Sequence, residues 1–307
     1  PNLPAYKADG SYNLENNTVG RMNNLLPAQF PNPVVVRDLD KITSENTRLI
    51  ANLGAEFRLA EGLTAKTSYS WDRRNTENIR FFNPFNGDGW SVSGDAYNNT
   101  ARSDNWNLIN TLQYNVKLGE NHNISAVLGS DSQKTRVLNW GAQRQGLADF
   151  FFTDFQGNFG TNLAAGNGIY QVSYEAYLGS LSYNYAGKYF LSGNYRRDGN
   201  SALGAGKKYG NFGGVSGGWA LSEEDFYKNT SLASVLSNIK IRASWGRVGN
   251  GNLSDAFSSL ELYSGSLYGS VPTWSLSQAG NPNLGWETSN QTNIGADFGL
   301  WNNRVQV

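Results

Sequence analysis

Residues 49–72 read LIANLGAEFRLAEGLTAKTSYSWD, and this stretch decides the fold class. From Leu49 the odd positions are Leu49, Ala51, Leu53, Ala55, Phe57 and Leu59, while Asn52, Glu56 and Arg58 fall between them. Side chains alternate across a strand with a period of two, so this is a β-strand with one apolar face. Glu61 and Gly62 make a tight turn. Leu63, Ala65, Tyr69 and Trp71 then continue the apolar set against Thr64, Lys66, Ser68, Ser70 and Asp72, so the stretch is a hairpin with one greasy face.

The same grammar continues at 105–118, 122–137, 170–185, 188–198, 209–221, 238–248 and 287–300, with a last start at 304. At one end of these strands the connections are short: Glu61 and Gly62, 119–121, Ala186 and Gly187, and 301–303; a fifth, 222–237, is longer. At the other end they are long: 74–104, 138–169, 199–208 and 249–286. Alternately short and long connections are the mark of an antiparallel transmembrane β-barrel, with short periplasmic turns and long extracellular loops. The expected fold is therefore all-β, with residues 47–307 as barrel strands and the polar, Pro- and Asn-rich residues 1–46 as an extracellular loop region leading into them.

Composition agrees. The chain has 307 residues, with 35 Gly, 9 Trp, 16 Tyr, 15 Phe, no Cys, one His and a formal net charge of zero. The abundance of aromatics suits interfacial girdles. No apolar run approaches the roughly 20 residues of a spanning helix. A balanced charge argues against nucleic acid, which demands a basic excess. A chain that starts at Pro1 without a signal peptide and stops with a strand barely begun is expected to be a segment of a longer protein.

Asn281, Pro282, Asn283, Leu284, Gly285, Trp286 and Glu287, followed by Gln291 to Gly299 (QTNIGADFG), resemble a segment of the SusC/RagA-like TonB-dependent outer-membrane transporters. Residues 189–201 (YFLSGNYRRDGNS), 219–226 (WALSEEDF) and 239–250 (IKIRASWGRVGN) resemble the same family, in the expected order. Phe212, Gly213, Gly214 and Val215 depart from the family's usual Phe-Pro-Ser-Val and leave the register of that strand open. The resemblance implies a 22-stranded barrel around a plug that is not in this chain, a SusD-like lipoprotein over its mouth, and energy delivered by the TonB complex. It also implies outer-membrane lipids as surroundings and an oligosaccharide or peptide as imported solute. A passive porin and a soluble all-β adhesin are the alternative classes.

Val215, Trp219 and Leu221 share one face of the Gly-rich strand, and Gly214, Ser216 and Gly218 the other, where they would leave lumenal room; a bulge or kink is the plainer reading. Trp90 and Tyr97, Trp140 and Phe152, and Tyr263 and Trp274 are candidate solute contacts in three of the long loops, since aromatic faces stack on sugar rings. Packing within the loops or against a lid is the competing role.

No catalytic or cofactor motif is complete. Around Gly204, Gly206, Lys207 and Lys208, Ser201 stands where a phosphate loop has its first glycine. After Gly249 and Gly251, Ser254 replaces the third glycine of a dinucleotide fingerprint. His122 lacks a triad or zinc partner and is expected to be solvated. Asn86, Asp88 and Gly89 lack the remaining spacing of a calcium loop. No enzyme activity, cofactor or metal is expected.

Overall fold

The computed structural model describes residues 3–16, 18–20, 30–253 and 255–307. Within the segment 1–46, residues 1, 2, 17 and 21–29 lie outside that description. The chain opens with β1 (Leu14–Glu15), β2 (Thr18–Val19) and α1 (Pro33–Leu39). Long strands follow: β3 (Lys41–Ala60), β4 (Leu63–Phe82), β5 (Asp95–Leu118), β6 (His122–Leu147) and β7 (Phe159–Tyr185). Shorter ones complete the order: β8 (Tyr189–Asn200), β9 (Tyr209–Ala220), α2 (Asp225–Lys228), β10 (Leu236–Asn250), β11 (Leu262–Tyr268), β12 (Val271–Gln278), β13 (Glu287–Leu300) and β14 (Val305–Gln306).

Ten strands form one sheet in the order β14-β13-β10-β9-β8-β7-β6-β5-β4-β3, while β1-β2 and β11-β12 are separate two-stranded sheets. Neighbours run antiparallel, as the alternation predicts. The register of the Gly-rich strand is set by Val215, which lies opposite Gly193 on one side and Trp245 on the other.

Strand lengths differ from the expectation. β3 to β7 span 20, 20, 24, 26 and 27 residues, against the roughly 9–11 that cross a bilayer. Much of 74–104 and 138–169, read as loop, is strand up to Phe82, from Asp95, up to Leu147 and from Phe159. Period-two alternation reports that one face is apolar and the other wet. A ladder held by main-chain hydrogen bonds continues without that signal. The segment 249–286 likewise carries β11 and β12, and β3 starts at Lys41.

The chain divides into two compact units: Pro1–Ile50, Asp72–Asp104 and Arg136–Tyr170 in the first, and Ala51–Trp71, Asn105–Thr135 and Gln171–Val307 in the second. The first has small apolar cores. Val19 and Val35 are buried with Ala5, and Phe81, Ala96 and Phe159 are buried under Leu147, Phe150 and Phe155. Asn32 caps α1 by accepting from the Val34 N–H at 3.0 Å, with Pro33 at the first helical position, where its missing N–H costs nothing.

The second unit exposes many large apolar side chains: Leu53 is 72% exposed, Leu191 61% and Ile294 83%, while Leu203, Phe212 and Tyr227 are buried. A contiguous apolar surface of this kind does not persist in water, and it matches the lipid-facing band of a barrel. At the foot of β3 and β4, Gly62 has φ +74°, and a Cβ there would stand 2.1 Å from the Asn115 carbonyl oxygen, so only glycine fits the turn. The longer connection at this end holds α2. Its N-cap is Glu224, while Ser222 donates to the Asn238 side chain at 3.3 Å instead of capping the helix.

Candidate functional site

Strand pairing sorts the second unit's side chains into two faces. One row across the sheet reads Ser182, Ser192, Ser216, Ser244 and Asn293, each directly opposite the next. The adjacent row on the same face is Ser180, Asn194, Gly214, Gly246 and Gln291, and the one on the other side is Asn184, Phe190, Gly218, Arg242 and Gly295. The opposite face carries Tyr183, Leu191, Gly217, Ala243 and Ile294. Alternation along each strand thus becomes a small, polar face backed by an apolar one.

Gly214, Ser216 and Gly218 share the polar face. Ser216 and Ser192 bond through their hydroxyls at 2.7 Å, and an open concavity of about 610 Å³ beside them is lined by Lys240, Arg242, Ser244 and Asn293. Charges there are paired or covered: Arg242 meets Asp297 at 3.0 Å, and the Lys240 ammonium lies 4.2 Å from the centre of the Phe190 ring. The glycines of β9 play unequal parts. A Cβ at Gly213 would lie 2.5 Å from the Asn194 carbonyl oxygen, and one at Gly214 would lie 2.8 Å from that of Trp245. At Gly217 the nearest atom is 4.0 Å away. Close backbone approach explains the first pair, and open space surrounds Gly217.

The six candidate rings fall in both units, and each unit is described separately. In the first, Trp90 sits in a 3-10 turn at Gly87–Val92 and is exposed, as are Phe152 and Trp140, the last at 57%. Tyr97 does packing work: the Arg80 guanidinium lies 5.0 Å above its ring and 4.7 Å above Phe82, and it pairs with the buried Asp95 at 3.3 Å. In the second unit, Tyr263 and Trp274 stand on the β11–β12 hairpin, Trp274 with 72% of its surface exposed.

Four arrangements have no sequence signal. Arg144 fastens the 148–158 loop of the first unit: Nε donates to Asn162 Oδ1 at 2.9 Å, Nη1 to the carbonyls of Phe155 and Gly157 at 2.8 and 2.9 Å, and Nη2 to that of Phe159 at 3.4 Å. Gln143 and Gln145 both donate to Asp95, at 2.6 and 3.1 Å. In the second unit, Glu224 accepts from the Tyr189 hydroxyl, Lys188 Nζ at 3.0 Å and Trp219 Nε1 at 3.1 Å. Those hydrogen bonds, Tyr189's first, hold its carboxyl down to about 2. In the first unit, burial pushes the Asp40 carboxyl up, although it accepts from the Asn83 N–H at 2.8 Å.

No group of three or more His, Cys, Asp or Glu able to hold a metal ion occurs among the described residues. Asn86 is buried and donates to the Asn32 carbonyl at 3.2 Å. His122 has a neighbour: its Nδ1 lies 2.7 Å from the Tyr183 hydroxyl.

Comparison with known proteins agrees with this geometry. The family described as "TonB dependent receptor-like, beta-barrel" matches residues 2–307. TonB-dependent receptor P39 of Formosa agariphila is 31% identical over all of this chain and 28% of its own length; receptor P26 of the same organism is 28% identical over 99% of this chain and 30% of its own. TonB-dependent receptor SusC of Bacteroides thetaiotaomicron is 34% identical over 42% of this chain and 13% of its own length. A solved structure of the RagAB peptide transporter superposes on 98% of this chain and 33% of its own, with a TM-score of 0.78 at 21% identity, and so shares the fold. The chain spans less than a third of the length of the full-length receptors it matches. It belongs to the TonB-dependent receptor family and contributes ten antiparallel strands of that family's β-barrel.

Proposed function

We propose that this chain is part of the wall of an outer-membrane importer that takes up oligosaccharides or peptides with energy from the TonB complex and in concert with a SusD-like surface lipoprotein. The observation that carries the reading is the two-faced sheet: an exposed apolar face suited to lipid, backed by a face of serines, glycines and amides suited to a wet lumen. A soluble adhesin would have to cover Leu53, Leu191 and Ile294, and a bilayer does so directly.

Gly214, Ser216 and Gly218 then face the lumen, where small side chains let a plug or solute pass close to the wall. Gly213 and Gly214 also relieve backbone crowding, while the register of β9 runs unbroken through both positions. Trp90, Trp140 and Phe152, the exposed candidate rings of the first unit, are proposed solute contacts. Growth of a deletion strain on single glycans or peptides, complemented by the full-length gene, tests the import reading. Restored growth on one solute class that disappears when TonB is removed supports it, and TonB-independent uptake refutes it. Uptake unchanged by alanine at Trp90 and Trp140 would assign those rings to packing.

A further inference from the structure

We infer that the outward face of the second unit carries a lipid headgroup site, in which Arg197 of β8 and Arg247 of β10 bind the phosphate of a lipid in the leaflet on the long-loop side. The inference rests on the proposal that the apolar face meets a bilayer.

Pairing puts both arginines on the apolar face. Arg197 lies opposite Tyr177 and Asn211, while Gly213 lies between Tyr195 on one side and Arg247 on the other. Arg197 is six residues from Leu191 and Arg247 is four from Ala243, so each points the way its apolar strand-mate does. Below them this face reads Gly193, Val215 and Trp245 across one row, and Tyr189, Trp219 and Ile241 across a lower one, at the short-turn end. Arg197 is eight residues from Tyr189. At about 3.3 Å per residue and a tilt of about 40°, that is a rise of roughly 20 Å, close to the height of a barrel's apolar band. The arginines therefore stand where hydrocarbon gives way to headgroups. β8, β9 and β10 each have a paired strand on both sides, so this outward face is set within the sheet and not at its edges.

Both side chains are exposed, and neither is in an ion pair among the described residues. The arginines on the wet face of the same strands are paired: Arg196 meets Asp198 and, at 3.5 Å, Asp131, and Arg242 meets Asp297 at 3.0 Å. Glu175, opposite Gly199 on the outward face, accepts from the Tyr177 and Tyr209 hydroxyls at 2.6 and 3.0 Å, so tyrosines and not Arg197 partner it. The Arg197 guanidinium lies 4.9 Å from the centre of the Tyr209 ring, which orients its fork without neutralising it.

A cation at the edge of hydrocarbon without a protein counter-charge calls for an anion, and the planar fork of arginine matches phosphate oxygens bidentately. Two strand spacings and a two-residue offset put the two Cα atoms about 12 Å apart, a gap that two arginine side chains close on one headgroup. Gly213, between them, has no side chain to block it.

The test uses the full-length protein in phosphatidylcholine nanodiscs that also contain lipid A, either phosphorylated or dephosphorylated. Native mass spectrometry of the released protein is expected to show the phosphorylated form retained at least roughly 10-fold better. That preference should vanish when Arg197→Gln and Arg247→Gln are combined and persist in part when both become lysine. Equal retention of the two lipids by the wild type overturns the site, since arginines that merely reach into water are indifferent to phosphate. Unchanged preference in the glutamine double variant also overturns it, and the wild-type comparison decides where that variant fails to assemble. Displacement of the lipid by inorganic phosphate assigns the arginines to a free anion and overturns the lipid reading. A photo-crosslinking side chain at Asn211 is expected to join lipid A, and crosslinks only to a second copy of the chain overturn the proposal. A protein that stays monodisperse without detergent overturns the bilayer reading together with this one, whereas one that needs detergent and ignores the phosphate overturns this one alone.

Discussion

Replacing Arg144 by alanine should release the 148–158 loop without loosening the strands that carry it. The guanidinium reaches one side-chain and three main-chain oxygens, and it lies 5.9 and 5.2 Å from the Phe155 and Phe159 ring centres. Hydrogen bonds to a charged group contribute about 1.5–3 kcal/mol each, but four bonds to one side chain act as a unit and water recovers the outermost. We take about 2–4 kcal/mol for the whole fastening. At about 1.4 kcal/mol per tenfold, the local opening equilibrium should shift roughly 30- to 1,000-fold. Hydrogen–deuterium exchange of the full-length protein should show that acceleration in peptides covering 148–158, with peptides from β8 and β9 unchanged. Arg144→Lys should recover little, because one ammonium cannot span four oxygens set for a planar fork. Exchange within about threefold of wild type would refute the reasoning, since it would mean the loop is held by its aromatic contacts alone.

Glu224 should report on pH: its folded carboxyl sits at about 2 against an ordinary 4.5, so its stabilising effect is present above 4.5 and lost as pH falls towards 2. Trp219 fluorescence should change across that window in the wild type and not in Glu224→Gln. Gly213→Ala should slow assembly, because its Cβ would meet a carbonyl oxygen at 2.5 Å, and should cost about 1–3 kcal/mol in urea unfolding from lipid, whereas Gly217→Ala, with 4.0 Å of space, should be silent. Equal effects of the two would show that crowding is not what demands glycine. Ser216→Trp should assemble normally and reduce uptake severalfold in whole-cell assays, and undiminished uptake would remove β9 from the solute path.

The amino-acid sequence by itself determined the fold class and the two faces. Leu49 to Leu59 alternate with Asn52, Glu56 and Arg58 because a strand between lipid and water must differ on its two sides, and that difference is written residue by residue. Turns such as Glu61 and Gly62 were legible for a similar local reason. Strand extent was not: β4 runs to Phe82 and β6 to Leu147, because main-chain pairing carries a ladder on without any side-chain pattern. The β11–β12 hairpin within 249–286 also went unread, although Tyr263, Gly265 and Leu267 alternate with Ser264 and Ser266. Only tertiary structure decided which distant groups meet. Lys188, Tyr189 and Trp219 converge on Glu224, and Arg144 finds the carbonyls of a folded loop, because hydrogen bonds depend on distances in space that no local spacing encodes.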